Sequence, residues 1–66
     1  MKQFDTFILL EDVNPKVKQG MEGVILDIYN PMIIEVEFVQ EDGTNIEFEG
    51  QITYQISPKI IKIKTT

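Results

Sequence analysis

Apolar residues recur at every second position along most of this chain, and no stretch carries a convincing helical period. Residues 4–10, rich in strand-forming side chains, read as a first strand. Residues 11–19 contain Asn14-Pro15 and two lysines and read as a loop, closed by a tight bend at Gly20-Met21-Glu22-Gly23. Residues 23–29 make a second strand, and Asn30-Pro31 signals a turn. Residues 32–39 make a third, with Ile34, Val36 and Phe38 on one face and Glu35 and Glu37 on the other. Asp42-Gly43 closes a hairpin into a fourth strand over residues 45–52, with Ile46 and Phe48 inward and Glu47 and Glu49 outward. Residues 53–58 read as one 3₁₀ turn stopped by Pro58, and residues 60–64 as the last strand. Short strands joined this way predict an all-β fold: a small five-stranded barrel, with one 3₁₀ turn before the last strand.

The same order of parts carries a resemblance. A first strand, a loop, Gly20-x-x-Gly23-Val24-Ile25, a hairpin arm ending in Glu35-Val36-Glu37-Phe38, and Tyr54-Gln55-Ile56 before the last strand resemble a family of short bacterial proteins. That family is known only as a domain of unknown function, and the resemblance implies an SH3-like barrel over nearly the whole chain. It implies no catalytic residues. Gly20 to Ile28 also looks like the KOW motif of ribosomal and transcription-factor barrels, which would imply nucleic-acid binding. The basic residues that accompany that motif in nucleic-acid binders are absent here.

At 66 residues the chain makes a single domain over 1–66, near the lower size for one core. An apolar content of 42% is ample for folding. Without cysteine there is no disulfide, thiolate metal site or cysteine nucleophile. The longest apolar run, Phe7 to Leu10, is far too short to span a bilayer. Met1 to Asp5 does not read as a signal peptide, so a mature, cytoplasmic protein is expected.

Charge is the most informative departure. The formal net charge is −5, and no basic residue lies between Lys18 and Lys59. That span holds Glu22, Asp27, Glu35, Glu37, Glu41, Asp42, Glu47 and Glu49. On the expected hairpin register Glu35, Glu37, Glu47 and Glu49 project from one face, with Glu41 and Asp42 at its tip. Like charges facing each other across strands cost about 0.2–1 kcal/mol each. Three readings are open: a solvated face, a docking face for a basic protein, and a divalent-cation site. The last lacks the regular oxygen spacing of a calcium loop.

Catalysis has little to work with. There is no histidine or cysteine, and Ser57 precedes a proline with no base beside it. Arginine is also missing, and with it the usual fork for phosphate. Lys59, Lys62 and Lys64 read as an outward decoration of the last strand, too few to drive nucleic-acid affinity. The expectation is therefore a non-enzymatic protein-binding module without cofactor or metal. It would be an acidic inhibitor, antitoxin-like or immunity-like, that occludes a basic protein. The alternatives are a KOW-type nucleic-acid or ribosome-associated module and a small structural homo-oligomer.

Overall fold

A computed structural model describes residues 1–64. Five antiparallel strands form one bent sheet: β1 (Thr6–Leu9), β2 (Glu22–Asn30), β3 (Ile33–Phe38), β4 (Tyr54–Ile56) and β5 (Ile61–Ile63), in the order β4-β3-β2-β1-β5. A 3₁₀ turn over Pro58–Ile60 precedes β5. The all-β fold and the presence of one 3₁₀ turn ahead of the last strand agree with the sequence reading, although that turn was expected over residues 53–58. The sheet stays open between β4 and β5, so the barrel does not close.

The period-two pattern explains the core. Ile34, Val36 and Phe38 alternate buried with the partly buried Glu35 and Glu37 along β3. Phe7 and Leu9 of β1, Ile25 of β2, Tyr54 and Ile56 of β4 and Ile61 of β5 complete the inner face. Phe7 stands edge-on to Phe38 with ring centroids 5.7 Å apart, and Phe38 contacts Tyr54 at 5.6 Å. Such pairs contribute about 0.5–1.5 kcal/mol beyond area burial. Two register shifts in β2, between Ile25 and Asp27 and between Ile28 and Asn30, let this long strand bend.

Several local readings change. Phe4 falls outside β1, at a φ of 69° with its ring in solvent, so β1 is shorter than residues 4–10. The loop after β1 contributes to the core through fully buried Val17. Asn14 Oδ1 accepts from the N–H groups of Lys16 and Val17, folding that segment inward. Gly20 and Gly43 take the positive φ expected of turn glycines, but Gly23 lies within β2.

The largest change concerns residues 45–53, where the expected fourth strand is absent. Only isolated bridges, Val39 to Asn45 and Phe48 to Gln51, remain there. Glu49 and Gly50 have φ of 52° and 82°, and Phe48 and Gln51 exchange backbone hydrogen bonds of 2.9 and 3.0 Å. Those are the features of a two-residue I′ hairpin turn. The actual β4 falls where a 3₁₀ turn was expected. The turn comes later because Pro58 starts it: proline presets the first helical φ, and Ser57 caps it by accepting from the Lys59 N–H at 3.1 Å.

Candidate functional site

The outer face of β2, β3 and β4 is acidic and polar. Glu35 stands opposite Asp27 on β2 and Gln55 on β4. The Tyr29 hydroxyl donates to Glu35 Oε1 at 2.6 Å. That bond to a carboxylate, with partial burial and the charges of Glu35 and Asp27, holds the Tyr29 phenol above its ordinary value of 10, opposed by Gln55. One strand step away, Glu37 Oε2 accepts from Asn45 Nδ2 at 2.9 Å. Sequence reasoning left Asn45, Asp27 and Gln55 out of this group. The hairpin register alone would have placed Asn45 diagonally across from Glu37.

The six expected partner-binding residues do not form one ladder. Glu35 pairs with Gln55 rather than with a glutamate of a fourth strand, because the chain departs from β3 after Ile46. Glu49 in the I′ turn and Glu35 on β3 nevertheless line one hollow of about 550 Å³ that also involves Phe48, Gln51 and Gln55. Glu47 lies elsewhere, beside Lys16 and Met21, and its Oε2 accepts from the Gly50 N–H at 3.2 Å. Glu41 sits at the exposed hairpin tip and shares a second hollow with Glu22. Asp42 is occupied by the turn, accepting from the Thr44 hydroxyl at 2.6 Å and the Thr44 N–H at 2.9 Å. These bonds, the hydroxyl's first, lower its pKa.

Tyr54 joins this surface to the core. Its buried hydroxyl lies 2.9 Å from Ile46 O and 3.0 Å from Gln51 O, so one phenol proton serves two carbonyls of the irregular segment. Burial, reinforced by the charge of Glu47, raises its pKa above 10 against a lowering hydrogen bond from Phe48.

Two of the lysines form ion pairs. Lys64 pairs with Glu22 at 3.0 Å and Lys18 with Asp12 at 3.4 Å, and these are the ion pairs among the described residues. Asp27, Glu35, Glu37, Glu41, Asp42, Glu47 and Glu49 thus face no cation within bridging distance. No cluster of three or more acidic side chains among the described residues is arranged to hold a metal ion. No helix there is long and apolar enough to cross a membrane. The chain matches no protein-family model, and no curated protein or solved structure is significantly similar to it.

Proposed function

We propose that this protein is a non-enzymatic binding module whose acidic side engages a basic protein and occludes it stoichiometrically, as an inhibitor of antitoxin or immunity type would. One observation carries the reading. The carboxylates from Asp27 to Glu49 lie without a basic neighbour in bridging distance, while the two ion pairs sit at other places. Cross-strand neighbours of like sign, such as Asp27 and Glu35, cost stability, and a cationic partner offsets that cost. Unpaired carboxylates also speed encounter with a basic surface, and their effect on association falls with salt.

The test is capture from host lysate with wild type and with a variant carrying Glu35→Lys, Glu37→Lys, Glu47→Lys and Glu49→Lys. Circular dichroism confirms that the variant is folded. One basic protein retained near equal stoichiometry by wild type, lost at moderate salt and lost by the variant, is the expected result. Retention that is indifferent to both salt and charge reversal overturns the reading. Capture of ribosomal proteins with RNA by both forms would transfer function to the lysine-bearing flank and to the KOW-type alternative.

A further inference from the structure

The two outer strands of the open sheet have opposite surroundings. β5 carries Lys62 and is followed by Lys64, the kind of edge that discourages further strand pairing. β4, at the other end of the sheet, borders a hollow lined by Glu35 and Glu49 and by no lysine.

The hydrogen-bond pattern fixes which backbone groups β4 leaves free. Val39 N–H donates to Glu22 O on the β2 side, and Ile46 N–H donates to Phe38 O on the opposite side. Directions alternate along an antiparallel strand. Val36 and Ile34 therefore exchange bonds with their partners Tyr54 and Ile56, and the backbone N–H and C=O of Gln55 point away from the sheet. Among the described residues no loop or turn backbone group hydrogen-bonds to them. This free edge opens onto the hollow that Glu35 and Glu49 share with Phe48 and Gln55.

We propose that the β4 edge accepts an extended segment of the partner protein as an added strand, one that alternates lysine or arginine with apolar residues. The inference rests on the acidic-docking reading and specifies its geometry. Gln55 supplies a donor and an acceptor to the incoming backbone, which gives affinity without sequence preference. Period two sends alternate side chains to the outer face, where a cation meets Glu35 and Glu49. The intervening side chains turn toward the partly buried Val13 and Phe48. Charge selects this occupant: acidic side chains line the hollow and no basic one does.

The probe is a short peptide alternating lysine and valine, compared with a block peptide of the same composition. Gln55→Pro deletes the edge donor yet suits an edge strand, because that N–H takes no part in the ladder. The expected results are alternating-peptide binding weakened about tenfold by Gln55→Pro and by Glu35→Gln with Glu49→Gln. In wild type, the same peptide slows hydrogen exchange of the Gln55 amide, a readout independent of any variant's folding. Binding lowered by the glutamine variants but untouched by Gln55→Pro, or equal for the two peptides, overturns strand addition while leaving acidic docking intact. No binding of the alternating peptide overturns strand addition, and acidic docking is then judged by the lysate capture. A wild-type dimer dissolved by Gln55→Pro would give the edge to a second copy and overturn the peptide proposal.

Discussion

Gly23 shows how a residue with a turn signature can serve packing instead. It lies inside β2 opposite Phe7 and Phe38, where a Cβ would fall 2.4 Å from Phe7 Cζ and 2.7 Å from the Glu37 carbonyl oxygen. The absent side chain is the seat of the Phe7 ring. Gly23→Ala is expected to destabilise the protein by about 1–3 kcal/mol, read from denaturant midpoints, because both neighbours are held in the core or in a ladder. Gly20, with a φ of +93° and open space around it, meets the conformational expectation that the sequence attached to both glycines. Spacing alone does not separate the two roles, since the distinguishing contact comes from β1. Glu49 is the converse case: its left-handed φ was hidden by an alternating pattern, although Gly50 beside it was a turn signal in plain view.

At the level of elements, the strands flanked by strong punctuation were legible. Asn30-Pro31 and Asp42-Gly43 marked real turns, and Asn30 Oδ1 accepts from the Met32 and Ile33 N–H groups as such a turn requires. Residues 45–56 were not legible, because two alternating runs compete for the one place beside β3. Residues 54–56 win that place. Tyr54 buries its ring against Phe38 and spends its hydroxyl on Ile46 and Gln51, tying down the segment that was displaced. Tyr54→Phe is therefore expected to cost about 1–3 kcal/mol by leaving the Ile46 carbonyl unserved, while the Gln51 carbonyl keeps the Phe48 N–H. Amide exchange should quicken locally over residues 46–51, while the β1–β2 ladder changes little. An equal rise across the whole sheet would instead make the phenol a global support.

Across the whole molecule, the segregation of charge along the chain becomes a segregation in space. Lys62 and Lys64 mark the β5 side of the outer face, and Asp27, Glu35 and Glu37 mark its middle and far side. The separation of signs was readable from composition by position. The grouping of Glu35 with Glu49, and the separation of Glu47 from both, depend on the I′ turn and were not. With a net charge of −5 and two exposed ion pairs, the folded state carries net self-repulsion. Raising sodium chloride from low to physiological concentration should therefore raise the melting temperature. A fall would mean that the ion pairs outweigh the repulsion.

The pairing of β1 with β5 has a consequence for how the protein is made. Thr6 O accepts from the Lys64 N–H, and Leu9 lies opposite Ile61, so the sheet joins segments separated by most of the chain. Closing so long a loop carries a large entropic cost before any contact returns it. During translation β1 can pair with β2 as soon as both have emerged, but its other side stays uncovered until residues 61–63 leave the ribosome. Until then β1 is itself an edge, with Ile8 on it and the exposed Leu10 just after it, and the nascent chain is open to mispairing before β5 arrives.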